Sequence, residues 1–257
     1  MRCEIVAELG CTHEGRFETC LRLIDAAAAA GATTWKAQWV SDPLRMCIRR
    51  KAQAYLPFYE WLAFPLEWHG QFAAACVARG LRYACSVYLP EDAAIVAPYV
   101  SFLKISSFEN ADTAMIEAAL ATPAPVVISL GQSHSRPFVT TPAHQRPIRY
   151  LHCTSAYPAP VAEMHVSALA RCDGLSDHSR HVLTGAVAVG AGATMLEVHY
   201  RLEDCDPQNP DYPVAFTPAE LRTYVAHVRL AEQLMGDPDR SWETQPSERW
   251  ALAYRVT

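Results

Sequence analysis

Eight short apolar or β-branched runs recur along the chain, and between most of them lies a stretch whose apolar residues repeat with helical spacing. The runs are CEIVAE (3–8), TTWKAQ (33–38), RYACSV (82–87), FLKIS (102–106), PVVIS (125–129), IRYLHC (148–153), CDGLS (172–176) and TMLEVH (194–199). The clearest helical stretches are RFETCLRLIDAAAAAGA, LEWHGQFAAACVARG and ADTAMIEAALA, two of which stop at a glycine, as a helix C-terminus often does. Strands alternating with helices imply a parallel sheet, and eight such units in 257 residues match the size of an α/β fold of the (β/α)8 TIM barrel type. A doubly wound open sheet is the alternative, but AELGCTHEG after the first run lacks the GxGxxG of such sheets. One unit is defective. Between Ser129 and Ile148, LGQSHSRPFVTTPAHQRP carries three prolines and no apolar period, so a loop is expected in place of the fifth helix. Residues 1–257 are thus expected to form one barrel domain with a C-terminal helical tail.

With 51% hydrophobic and 19% charged residues the chain can bury a large core. A net charge of −5 without a long basic run argues against nucleic acid or an anionic membrane as the main partner and favours a small polar substrate. Nine cysteines without a CxxC pair suit a reduced, cytoplasmic protein whose thiols are mostly small core residues. Arg2, Glu4 and Glu8 interrupt the start where a signal peptide needs an apolar segment. The longest apolar stretch, LTGAVAVGAGATMLEV, is broken by Gly185, Gly190 and Gly192 and reads as helix, turn and strand rather than as a membrane span.

In a barrel of this kind the chemistry sits at the C-terminal ends of the strands. Here those ends supply Glu8; Lys36 with Gln38; Ser86; Lys104 with Ser107 and Glu109 beyond it; Ser129; His152 with Ser155; Ser176 with His178; and Glu197 with His199. Residues i and i+2 of a strand face the same side, so Glu197 and His199 enter one compartment. Lys36 and Lys104 beside serines make a cationic pocket fit for a small polyanion carrying phosphate or carboxylate. The plainer alternative is that each lysine pairs with Glu8 or Glu109 as a structural ion pair. His178 and His199, on adjacent strands, have the character of ligands to one divalent metal, with Glu197, Asp211 or water completing the shell. His13, His152 and His181 also lie near the rim and leave another ligand set open.

The segments VAELGCTHEG, WKAQ, LKISSFE, VVISLG, YLHCTSAYPAP, GLSDHS, LEVHY and NPDYPVAFTPAEL fall in one order from about residue 3 to residue 250, and in that order the chain resembles the sialic acid synthase (N-acetylneuraminate synthase) family. That family condenses phosphoenolpyruvate with a sugar aldehyde. LHCTSAYPAP followed by GLSDHS is the most specific part of the match. The resemblance implies that Lys36 and Lys104 bind phosphoenolpyruvate, with Gln38, Ser86, Ser107, Ser129 and Ser176 alongside. It implies His178 and His199 as ligands to Mn or Mg, and Ser155, Tyr157 and Asp211 at the acceptor sugar or the metal shell. Glu8 and Glu109 match family carboxylates near the reaction. By resemblance, C3 of phosphoenolpyruvate attacks an aldehyde, water adds at C2 with a carboxylate as base, and phosphate leaves to give a 2-keto acid. Either Glu8 or Glu109 fits the base.

Three departures from the family bear on the acceptor. THEG replaces the family's NHNG, so Thr12 and Glu14 stand in for two asparagines. The fifth helix is expected to be missing, with Arg136 in its place, and the antifreeze-like C-terminal domain with its sugar-binding arginine is expected to be absent. The donor half of the site thus reads as intact and the acceptor half as rebuilt. The alternatives are a pyruvate-type aldolase or lyase on the same barrel, or a binding protein that has lost catalysis. A homodimer is expected by analogy.

Overall fold

A computed structural model describes residues 2–131, 148–236 and 245–254. Eight parallel strands close into a barrel in sequence order: β1 (Glu4–Glu8), β2 (Thr34–Trp39), β3 (Arg82–Val87), β4 (Leu103–Ile105), β5 (Val126–Ser129), β6 (Arg149–Cys153), β7 (Gly174–Asp177) and β8 (Met195–His199). Each of the eight runs read from the sequence is one of these strands. The barrel closes where β8 returns to β1, pairing Glu4 with Met195 through to Glu8 with His199.

Helix α1 (Phe17–Ala30) follows β1 and stops where Gly31 turns left-handed at φ 86°, its N–H reaching the carbonyls of Ala27 and Ala28. After β2 come α2 (Pro43–Arg50), α3 (Leu56–Leu62) and α4 (Glu67–Val77). The first two were not legible in the sequence, because α2 buries only Met46 and Cys47 and offers too short an apolar stripe. β3 leads to α5 (Pro90–Val96), β4 to α6 (Thr113–Leu120), and β7 to α7 (Thr184–Gly190). Between β6 and β7 run only two 3-10 segments, Val161–Glu163 and Val166–Arg171. Helix α8 (Pro218–Met235) starts on a capping box, Thr217 with Glu220, with Pro218 in its first turn. The stretch expected to replace the fifth helix, with Arg136, lies outside the described residues.

The main core lies between the outer face of the barrel and the helices. Its densest part is aromatic: Trp35 and Tyr83 on β2 and β3 meet Phe17, Phe64, Trp68 and Phe72 from α1 and the α4 region. Polar tips there are matched. Trp35 Nε1 donates to Tyr200 Oη at 2.8 Å, and His69 Nδ1 meets Tyr83 Oη at 2.7 Å. Inside the barrel a second cluster, Val6, Ala84, Phe102, Val127, Leu151 and Met195, packs across the axis. Each of these stands two residues before Glu8, Ser86, Lys104, Ser129, Cys153 or Glu197, so the apolar layer is the floor beneath the polar one. Among the described residues no helix is long and apolar enough to cross a membrane. Cys3, Cys11, Cys20, Cys47, Cys76, Cys85, Cys153 and Cys205 are buried free thiols.

Two histidines outside the inner cavity, His69 and His13, are buried as neutral groups. Burial lowers the pKa of His69 to about 4 and that of His13 to about 3. The unfolded chain therefore binds more protons than the folded one below the ordinary histidine value of about 6.5. Their stabilisation is complete above that pH and is lost as pH falls toward about 4 for His69 and about 3 for His13. The shift of His69 corresponds to about 3 kcal/mol. Urea denaturation of His69→Gln, which can still hydrogen-bond Tyr83, is expected to show a flatter loss of stability between pH 6.5 and 4 than the unsubstituted protein. An identical slope would assign the acid lability elsewhere.

Candidate active site

At the C-terminal end of the barrel the strands aim a concentric set of polar side chains over the apolar floor. Register decides who meets whom: Glu8 lies beside Lys36 and His199, Gln38 beside Ser86, Ser86 beside Lys104, and Ser176 beside Glu197. The result is a small inner cavity, about 280 Å³ with its open mouth included.

Two buried ammonium groups dominate it. Lys36 Nζ donates to Ser86 Oγ at 2.7 Å and pairs with Glu8 Oε1 at 2.7 Å. Lys104 Nζ donates to Ser129 Oγ at 2.8 Å and to the Ile105 carbonyl at 3.2 Å. Glu197 lies between them, 3.5 Å from each ammonium, and accepts from Ser176 Oγ at 2.9 Å. Burial opposes charge on Lys36, but Glu197 and Glu8 outweigh it and hold its pKa above the usual lysine value. Burial likewise pushes Glu8 up, yet Lys36 and His199 pull its carboxyl down to about 2. Of the pairs in the plainer alternative, Lys36 with Glu8 is present, whereas Lys104 has Glu197 at 3.5 Å and Glu109 belongs to Arg50.

His178, just beyond β7, and His199, at the end of β8, line the same cavity with ring centroids 5.5 Å apart. His178 Nδ1 lies 2.9 Å from the Thr154 carbonyl. A proton on that nitrogen leaves Nε2 with its lone pair, the arrangement usual for a metal-binding imidazole. His199 Nδ1 is buried without a hydrogen-bond partner, and its Nε2 is 3.7 Å from Glu8. Both rings therefore have the donor chemistry of a divalent site. Among the described residues, however, no three His, Cys, Asp or Glu side chains converge as a ready ligand set. Glu197, one of the three candidates to complete the shell beside Asp211 and water, lies instead between the lysines. The other rim histidines turn elsewhere: His152 bonds the Met164 carbonyl, His13 packs edge-on to Phe64, and neither it nor His181 lines the cavity.

Ser107, Tyr157 and Ser176 also line the inner cavity. Ser155 does not; it stands behind, donating to Ser107 Oγ at 2.7 Å. Tyr157, tilted against the His178 ring at 4.2 Å between centroids, marks the passage to a wider outer chamber of about 2230 Å³ including its open mouth. Glu109 and Asp211 belong to that chamber. Asp211 accepts from the Cys11 N–H at 2.7 Å and lies 3.9 Å from His199. This closure relies on Gly10, at φ 52°, where a Cβ would fall 2.0 Å from the Asp211 carboxylate.

The chamber wall contains what the sequence did not disclose. Arg50, at the end of α2, grips Glu109 with two bonds of 2.7 and 2.8 Å and packs on the rings of Tyr88 and Phe108 at 4.7 and 5.0 Å. Ser106 donates to the same carboxylate. Tyr55, Phe58 and Tyr59 complete the aromatic lining. A helix ending in RR reads as a solvated basic terminus, and nothing local ties Arg50 to a glutamate 59 positions away.

The NeuB family model matches residues 23–240 of the chain. Pseudaminic acid synthase of Campylobacter jejuni is 28% identical over 258 residues, an alignment that covers 91% of this chain and 75% of that protein. Human N-acetylneuraminate-9-phosphate synthase is 25% identical, with 93% and 72% covered. The crystal structure of N-acetylneuraminic acid synthetase from Leptospira borgpetersenii, in complex with citrate, superposes with a TM-score of 0.83 at 23% identity, covering 99% of this chain and 92% of that one.

Replacing Gly10 by alanine is expected to destabilise the protein by about 1–3 kcal/mol, since it adds a left-handed strain to a clash with Asp211. Chemical denaturation checks this. Gly10→Ala combined with Asp211→Ala should recover part of the loss, because only the clash is relieved.

Proposed function

The chain belongs to the NeuB family, and on that premise we propose that it joins phosphoenolpyruvate to a sugar or sugar-like aldehyde, releasing phosphate and leaving a 2-keto acid. The observation that carries this reading is the pair of buried ammonium groups, each backed by a serine hydroxyl, beneath two imidazoles in one small cavity. Lys36 with Ser86 and Lys104 with Ser129 are two cation–hydroxyl pairs, suited to the phosphate and carboxylate of one short dianionic donor. The named synthase activities of the relatives support the same chemistry.

The residues divide the work by position. In the inner cavity the lysines hold the donor so that its C3 faces the passage beside Tyr157. The C2–C3 π pair forms the bond to the aldehyde carbon, whose carbonyl pair moves onto its oxygen and takes up a proton, and water fills the positive character left at C2. Water gives one proton to a base, and the hydroxyl left at C2 gives up the other as phosphate departs with the C–O bonding pair and the keto group forms. Glu8 lines the inner cavity and Glu109 does not, so Glu8 is assigned as that base. Its low pKa depends on Lys36, and a donor phosphate that engages Lys36 raises its basicity. Glu109, clamped by Arg50, faces the outer chamber and orients the acceptor, which rests against Phe108 and Tyr157. His178 and His199 are the residues that would hold a divalent ion such as Mn or Mg; when bound, the ion supplies a Lewis acid for the carbonyl being attacked.

The test is phosphate release in the presence of phosphoenolpyruvate and a panel of sugar aldehydes, with product mass read in parallel. Phosphate should appear only when donor and aldehyde are both present. Lys36→Met and Lys104→Met should each lower turnover at least ~100-fold through lost charge stabilisation. Release without an aldehyde, or a condensation product without phosphate, would overturn the reading. The two carboxylates are expected to separate by kinetics. Glu8→Gln should lower kcat with little change in acceptor KM, whereas Glu109→Gln and Arg50→Ala should raise acceptor KM and leave donor binding unchanged.

A further inference from the structure

Glu197 is a buried carboxylate that the proposed reaction does not use, yet it touches both lysines. One oxygen accepts from Ser176, and the other, Oε2, is buried with no hydrogen-bond partner. Each ammonium already has two short partners: Ser86 and Glu8 for Lys36, Ser129 and the Ile105 carbonyl for Lys104. An ammonium carries three protons. Each lysine thus keeps one N–H uncommitted, with Glu197 at 3.5 Å as the nearby charge but not at hydrogen-bonding distance for an ion pair.

The inner cavity is also balanced in charge. Two lysines face two glutamates, so an arriving dianion meets no net positive field from these four groups. A purely structural ion pair would close to about 2.8 Å and satisfy both oxygens. Glu197 does neither. It sits where it neutralises two cations that would otherwise share a low-dielectric cavity with Glu8 alone, and it leaves their last protons available.

We propose that Glu197 is the resident counter-ion of the donor cavity, a positioning residue that holds Lys36 and Lys104 in place while the cavity is empty and repels the anionic donor once it binds. This rests on reading the inner cavity as the phosphoenolpyruvate site. The consequence has a definite sign. Glu197 weakens donor binding and favours departure of the phosphate product, so its charge sets the balance between capture and release.

The experiment is calorimetric titration of phosphoenolpyruvate, and separately of inorganic phosphate, into the unsubstituted protein, Glu197→Gln and Glu197→Asp. Each is measured with and without Mn, so that the comparison does not hinge on His178 and His199. Circular dichroism and thermal melting confirm that each variant is folded. Glu197→Gln, which keeps the acceptor oxygen for Ser176 but loses the charge, is expected to bind both anions about tenfold more tightly. Glu197→Asp, which keeps the charge, should stay close to the unsubstituted protein. If Glu197→Gln is folded and binds either anion no more tightly, the carboxylate is only structural and the counter-ion role is overturned. If all three proteins bind neither anion, the donor reading of the cavity falls, and this proposal falls with it. If Glu197→Gln is misfolded, Glu197→Ser, which is also neutral and leaves every other cavity residue in place, is titrated instead, with tighter anion binding supporting the role and unchanged binding overturning it.

Discussion

Two ammonium groups buried in the middle of a protein are the condition the rest of this structure has to satisfy. A charge removed from water is costly unless it is paired and hydrogen-bonded. Here both lysines rise from an apolar floor, where Val6, Ala84, Phe102, Val127, Leu151 and Met195 exclude water from below. Their compensation must come from above and from the sides. It does so only because the barrel closes: Glu8 on β1, Ser86 on β3, Ser129 on β5, Ser176 on β7 and Glu197 on β8 are brought around one axis. An open sheet with the same strands would leave β1 and β8 apart, and with them the contact of Glu8 with His199. The pairing is therefore a reason for closure as much as a result of it.

The two compartments are built on different principles. The inner cavity consists of strand-end residues fixed by sheet register, which a helix or loop replacement cannot easily disturb. The outer chamber is made of connections, with Arg50 of α2 and the aromatic residues Tyr55, Phe58 and Tyr59 in and just before α3 on one side and the loop through Asp211 on the other. Connections tolerate change while the scaffold holds. On the proposed reading the donor half is the rigid half, and the aldehyde is chosen by a wall that the barrel merely supports. Because Arg49 and Arg50 are paired with Asp112 and Glu109, that wall offers ring surfaces and matched charges rather than a bare cation.

Sequence periodicity disclosed the barrel because each strand is short, buried and bounded by helical stretches. It disclosed most of the inner site for a related reason, since a lysine or glutamate in an apolar run has no place except an interior polar layer. Glu197 and His199 could be seen to share a face. What Glu197 does there could not be seen, because its partners lie on β2 and β4 and depend on side-chain reach. Arg50 was hidden more completely. Its helix is short, its basic end resembles a solvated one, and its partner is brought near only by the folded chain. Ser155 fails differently: its position near the rim is right, but its hydroxyl serves Ser107 instead of the cavity.

The segment LKISSFEN after β4 shows how the halves are joined. Lys104 lies in the inner cavity, Ser106 lines both compartments, and Phe108 and Glu109 belong to the outer one. Their order in the chain is their order along the path from the inner cavity to the outer chamber. Ser106 is the physical link: its hydroxyl donates to Glu109, accepts from the Phe108 N–H at 3.2 Å and receives Arg50 at 3.3 Å. Gln38 makes a second link, taking the Tyr88 hydroxyl on one side and donating to Glu8 on the other. A molecule pressing on the ring of Tyr88 therefore acts, through Gln38, on Glu8 of the inner cavity, whereas Arg50 and Ser106 act on Glu109 of the outer chamber. A chamber wall that can vary is in this way still tied to chemistry that cannot, which limits the changes in α2 and α3 to those that keep Tyr88 and Ser106 engaged.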